Sequence, residues 1–132
     1  MVTLGKKYKV LLVDDDRFLL DMYSIKFTKS GHTTKVASSS ADALKMLKDG
    51  FVPDVIVLDI IMPSMDGLEL LEVIRKEKLT PNTKVVMLTN QSQPTDIERA
   101  TKLGVAGYIV KASTIPSEVV KEVEEIVARG RV

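Results

Sequence analysis

The stretch Val10-Leu11-Leu12-Val13-Asp14-Asp15-Asp16 runs four apolar residues straight into three aspartates. A strand buried on both faces reads as a continuous apolar run, whereas a strand with one wet face alternates. The segment therefore reads as an interior strand that delivers carboxylates at its carboxyl end. The pattern recurs along the chain: Val55 to Leu58 ends on Asp59, Val85 to Leu88 ends on Thr89, and Tyr108 to Val110 ends on Lys111. In an open parallel sheet, ligands bind outside the carboxyl ends of the strands. Runs that each finish on a reactive polar residue predict a site as well as a core.

Working outward, short β-branched runs alternate with longer segments of helical period. Strands are expected near 9–13, 33–37, 55–58, 85–88 and 107–110, and helices near 17–29, 40–49, 66–77, 95–103 and 116–128. The last helix has the clearest stripe, because Val119, Val120, Val123, Ile126 and Val127 fall on one face. Ser39 or Ser40, followed by Asp42 and an apolar run, reads as a helix N-cap. Repeated βα units with short connections imply right-handed crossovers and helices on both faces of a parallel sheet. Thr33 to Ala37 is mixed and contains Lys35, and the fifth run is short and ends on a lysine, so these two belong at the edges. The simplest arrangement is an α/β doubly wound five-stranded sheet of order 2-1-3-4-5. This flavodoxin-like order has its switch point between strands one and three, where Asp14 to Asp16 and Asp59 would meet.

Composition narrows the class. One domain is expected over 1–132, with a core from about 8 to 128 and short tails. A hydrophobic content of 45% with 28% charged residues is that of a globular chain. No segment approaches the roughly 18 unbroken apolar residues of a membrane helix, and Met1 to Lys9 lacks the apolar stretch of a signal peptide, so a cytoplasmic protein is expected. Without cysteine there is no disulfide or thiolate chemistry. Nineteen basic against eighteen acidic residues gives no argument for direct nucleic-acid binding.

Carboxylates gathered at one sheet end repel one another, at about 4 kcal/mol per pair for a 4 Å separation and an effective dielectric near 20. Protonation, an ion pair with Lys111 alone, or a hard divalent cation would each relieve this. A metal ion, an ammonium and a hydroxyl converging on a free carboxylate would form a phosphoryl site with the carboxylate as nucleophile.

On these residues the chain resembles the receiver domains of two-component response regulators, from about Tyr8 to Val127. The most specific segment, Leu58-Asp59-Ile60-Ile61-Met62-Pro63-Ser64-Met65-Asp66-Gly67, is similar to the family's phosphorylation loop. Val13-Asp14-Asp15-Asp16 matches its acidic segment, Leu88-Thr89 its switch hydroxyl, and Tyr108 with Lys111 its switch aromatic and lysine. The resemblance implies that Asp59 accepts a phosphoryl group from a sensor histidine kinase or phosphotransfer protein. Asp15, Asp59 and the backbone carbonyl of Ile61 would bind Mg²⁺ or Mn²⁺ directly, and Asp14 mainly through a coordinated water. Lys111 and Thr89 would each meet a phosphoryl oxygen, and Tyr108 would move into space vacated as the loop after strand four closes. Output would leave through helix four, strand five and helix five, and the resemblance also implies a homodimer through the fourth and fifth helices. Such a chain acts on itself and is not a turnover enzyme.

Taken alone, several of these residues have plainer readings. Tyr108 could shield the core with its hydroxyl in water, and Thr89 could cap the Asn90 to Pro94 turn. The single histidine, His32, follows Ser30-Gly31 and reads as a solvent-exposed loop residue. Met62 and Met65 read as loop packing. A haloacid-dehalogenase-type hydrolase also opens with a strand-end Asp-x-Asp, as in Asp14 and Asp16, but Phe18 does not fit its pattern and little chain is left for a cap. A degenerate receiver that only binds a partner is disfavoured by retention of the phosphorylation residues. Three departures from the family pattern stand out. Ala112 replaces the usual proline after the lysine, so the Lys111–Ala112 peptide is expected to be trans. Asn90 replaces a small residue after the threonine and would crowd access to Asp59. Ile61 cannot orient a hydrolytic water, leaving Gln91 nearby, and a slowly hydrolysed acyl phosphate is expected.

Overall fold

In the computed structural model, residues 6–90 and 93–129 are described. Strands β1 (Lys9–Val13), β2 (Thr33–Ala37), β3 (Val55–Leu58), β4 (Lys84–Thr89) and β5 (Gly107–Val110) alternate with helices α1 (Arg17–Lys29), α2 (Ser40–Lys48), α3 (Gly67–Lys76), α4 (Pro94–Lys102) and α5 (Pro116–Arg129). The strands form one parallel sheet of order β2-β1-β3-β4-β5. Fold class, order and edge strands are therefore as expected.

Side chains alternate across a strand, and the unbroken apolar runs split accordingly into two cores. Val10, Leu12, Val55, Val57, Val86, Leu88 and Ile109 pack under α1 and α5. Leu11, Val13, Ile56, Leu58, Val85 and Met87 pack under α2, α3 and α4. Edge strand β2 keeps only Ala37 buried. The stripe Val119, Val120, Val123, Ile126 and Val127 is buried against the first of these cores.

Helix bounds differ from the expected ones by a residue because the caps decide them. Ser39 is the N-cap of α2, accepting the Asp42 N–H at 3.1 Å. Asp66 caps α3 in a reciprocal box with Glu69. Asp16 caps α1 by accepting the Leu19 N–H at 3.2 Å. The 3₁₀ turn over Lys111–Ser113 has no counterpart among the expected elements.

His32 corrects an expectation. It is 4% exposed, stacked on the Tyr8 ring at 5.5 Å. Its Nδ1 accepts the Tyr8 N–H at 3.1 Å, so Nε2 carries the proton and donates to Glu124 Oε2 at 2.7 Å. Gly31, at φ 95°, makes the turn that brings the ring inward just before β2. The histidine thus ties α5 to the amino end of the sheet, far from the strand ends that carry the aspartates.

Candidate functional site

Each acidic residue is held by the element that delivers it. Asp14 and Asp59 are 5% and 8% exposed at the ends of β1 and β3. Asp14 Oδ1 accepts the Asp16 N–H at 2.9 Å, and Asp59 Oδ1 accepts the Ile60 N–H at 2.8 Å. Their remaining oxygens converge on one ammonium: Lys111 Nζ lies 2.6 Å from Asp14 Oδ2 and 3.2 Å from Asp59 Oδ2. Asp15 is exposed at the mouth, and one oxygen from each of Asp14, Asp15 and Asp59 lies within 4.8 Å of the others. Three carboxylates form a hard oxygen donor set, which fits a small divalent cation.

The electrostatics follow from this packing. Burial pushes the Asp14 carboxyl above its ordinary value, and the nearby Asp59 charge adds to that, against the pull of Lys111. Burial opposes the Lys111 charge, but the hydrogen bond to Asp14 and the charges of Asp59 and Asp14 outweigh it, so its value is raised. The ammonium therefore stays charged between the two carboxylates.

Thr89 is fully buried at the end of β4, in register with Val110 on β5, which places it beside Lys111. Tyr108 pairs with Met87 and is partly buried against the α2–α4 core. Its phenol is pushed up by burial and then by the charges of Asp96 and Asp59. Ile61 lies two residues beyond Asp59 with 56% of its surface exposed. Gln91 lies outside the described residues. Met62 is buried and Met65 packs against the same core, as loop packing requires.

Gly67 and Ser40 also shape the site. Gly67 donates its N–H to the Ile60 carbonyl at 2.7 Å, and an added Cβ there would overlap the Asp59 carbonyl oxygen. Buried Ser40 donates its hydroxyl to the Met65 carbonyl at 2.8 Å, so α2 braces the loop after Asp59. The glycine's place at a loop-to-helix junction is a signal for this role, whereas Ser40 reads in the sequence only as a cap candidate for α2. The Lys111–Ala112 peptide is trans, as expected. The Asn90 side chain is turned toward the Lys111 turn: its Oδ1 accepts the Ala112 N–H at 2.8 Å. A proline at 112 would have had no N–H to offer.

The parallel sheet of order β2-β1-β3-β4-β5, with aspartates, a threonine and a lysine at its strand ends, defines a flavodoxin-like class of fold, and the comparisons narrow it. The family model for the response regulator receiver domain matches residues 10–124. The "Regulator of RpoS" of Escherichia coli K12 is 36% identical over 103 residues, 78% of this chain and 30% of that protein. The Bacillus subtilis "Alkaline phosphatase synthesis transcriptional regulatory protein PhoP" is 32% identical over 124 residues, 94% of this chain and 50% of that protein. The chain thus spans half or less of these curated relatives. Among solved structures, a CheY-like receiver from Methanospirillum hungatei JF-1 superposes with a TM-score of 0.84 at 25% identity, over 94% of this chain and 96% of the other. The Francisella response regulator 1452 receiver domain gives 0.82 at 31% identity, over 94% and 99%. This chain belongs to the response regulator receiver domain family of two-component systems.

Proposed function

We propose that this chain is a phosphorylation-dependent switch whose phosphoacceptor is Asp59. The observation that carries the reading is the single Lys111 ammonium shared by buried Asp14 and Asp59, which marks where negative charge is to be held. A carboxylate oxygen of Asp59 attacks phosphorus of a phosphohistidine on a sensor kinase or phosphotransfer protein. The O–P bond of an acyl phosphate forms, the P–N bond breaks, and the imidazole leaves with its electron pair. Lys111 neutralises one phosphoryl oxygen and the Thr89 hydroxyl donates to another. Asp15, Asp59 and the Ile61 carbonyl would hold Mg²⁺ or Mn²⁺, with Asp14 acting mainly through a coordinated water. The bound ion supplies charge neutralisation for the incoming group. Three exposed apolar side chains, Phe18 at 77%, Ile61 at 56% and Ile115 at 61%, lie on the segments that follow Asp14–Asp16, Asp59 and Lys111. They give a donor protein apolar contacts around an acidic mouth.

Phosphorylation biases an equilibrium between two conformers, because the contacts of Thr89 and Lys111 with phosphate exist in only one of them. Tyr108 then shifts, and the surface of α4, β5 and α5 changes its affinity for an output protein or a second copy. The chain works on itself in the cytoplasm, without turning over an external substrate and without reading nucleic acid directly. No helix among the described residues is long and apolar enough to cross a membrane. The experiment is intact mass after incubation with acetyl phosphate, with and without Mg²⁺, on the wild type and Asp59→Asn. One added phosphoryl group that requires both Mg²⁺ and Asp59 is expected. Addition that survives Asp59→Asn, or turnover of a small phosphomonoester that is lost in Asp14→Asn, overturns the reading in favour of other phosphoryl chemistry.

A further inference from the structure

The β4–β5 ladder ends with Thr89 opposite Val110. The next residues are Asn90, and Lys111 with Ala112 in the 3₁₀ turn Lys111–Ser113. First N–H groups of a helical turn have no partner within it, and here the Ala112 N–H donates to Asn90 Oδ1 at 2.8 Å. A backbone N–H can meet only an acceptor, so the bond fixes which way the amide is turned. The turn is closed at its other end by the Thr114 N–H on the Lys111 carbonyl at 3.3 Å, and Ser113 Oγ donates to the Val110 carbonyl at 3.3 Å. The Asn90 side chain therefore adds one rung to the sheet beyond its last backbone pair. Edge strand β5 has a neighbour on one side only, and this bond adds to the restraint that its carboxyl end, which carries Lys111, has toward β4.

We propose that Asn90 is a positioning residue for phosphoryl transfer: through the Ala112 N–H it holds the Lys111 turn against the end of β4, so that Lys111 and Thr89 address the same phosphoryl group. This rests on the switch reading above. In the proposed reaction the two groups must reach different oxygens of one phosphoryl group, and the Asn90–Ala112 bond ties together the two loops that carry them. Asn90 is exposed and touches no reacting atom; it acts through Lys111.

The test is the rate of Asp59 phosphorylation by acetyl phosphate at saturating Mg²⁺, followed by intact mass across phosphodonor concentration. Wild type, Asn90→Ala, Ala112→Pro and the double variant are compared, together with Mg²⁺ affinity and thermal unfolding. One hydrogen bond of ordinary strength corresponds to about a two- to tenfold change in rate. Asn90→Ala is expected to lower the limiting rate by that factor with Mg²⁺ affinity unchanged. In the Ala112→Pro background, where the donor is gone, adding Asn90→Ala is expected to change nothing further. Three results each overturn the positioning role alone: wild-type speed in Asn90→Ala, the full Asn90→Ala effect persisting beside Ala112→Pro, or a parallel loss of Mg²⁺ affinity. A wild type that takes up no phosphoryl group from acetyl phosphate or from a phosphohistidine donor overturns the switch reading itself, and the positioning role with it.

Discussion

Among single residues, the strand-end groups were legible because their position follows from an apolar run and their chemistry from residue type. Asp14, Asp59 and Lys111 meet as expected, since three strand ends in a parallel sheet have one place to point. His32 was not legible, because its burial depends on Glu124, 92 residues away, and on the Tyr8 backbone. Asn90 reads as bulk in the sequence and acts as an acceptor in the fold, because its partner is an N–H left by the absence of proline 22 residues later. Ile61 carries a prediction at this scale. Its exposed alkyl group offers no hydrogen bond to water approaching an acyl phosphate on Asp59, whereas an asparagine amide would. Ile61→Asn is expected to speed loss of the phosphoryl group by about tenfold, the ratio given by 1.4 kcal/mol of added stabilisation in the transition state. The decay of the phosphorylated mass after removal of acetyl phosphate reads this directly, and an unchanged half-life counts against the hydrolysis argument.

At the level of elements, period and capping residues located strands and helices to within a residue or so, because burial on two faces leaves β1, β3 and β4 no polar side. The 3₁₀ turn at Lys111–Ser113 left no trace in the sequence: three residues are too few for a period. The junction from the Asp59 loop into α3 is tightly determined. Gly67 donates to the Ile60 carbonyl while lying so close to the Asp59 backbone that no Cβ fits, and the Asp66–Glu69 box starts the helix directly before Leu68, Leu70, Leu71 and Ile74 enter the core. Because the obstructing atom is backbone, relief requires moving either the strand end that carries Asp59 or α3. Gly67→Ala is expected to cost about 1–3 kcal/mol, the usual range for forced overpacking, measured by urea unfolding. Because the displaced backbone is that of Asp59, it is also expected to slow phosphorylation. A variant as stable as the wild type and phosphorylated at the same rate would show that the junction yields without cost.

For the whole molecule, the site sets stability against function. A buried carboxyl whose value is raised in the fold releases its proton later than in the unfolded chain, so the unfolded state binds fewer protons across that interval and stability falls as pH rises. For Asp14 this means full stability below its ordinary value, lost as pH climbs through its raised value. Lys111, also raised, contributes stability that is kept through neutral pH and lost only as pH rises through its folded value in the alkaline range. Metal-free Asp14→Asn is therefore expected to unfold at a higher temperature than the wild type at neutral pH, with the two converging below the ordinary carboxylate range. The Lys111–Asp59 contact at 3.2 Å remains to hold the ammonium in the variant. Mg²⁺ reverses the comparison, since a ligand at one hundred times its dissociation constant adds about 2.7 kcal/mol to a fold that binds it. That gain is expected in full for the wild type, reduced for Asp14→Asn and absent for Asp15→Asn and Asp59→Asn. Thermal unfolding of these chains across pH, with and without Mg²⁺, separates the two effects. If Asp14→Asn is no more stable than the metal-free wild type at neutral pH, the carboxylate cluster is not under electrostatic strain. In that case the shared lysine already balances the site before any ion arrives.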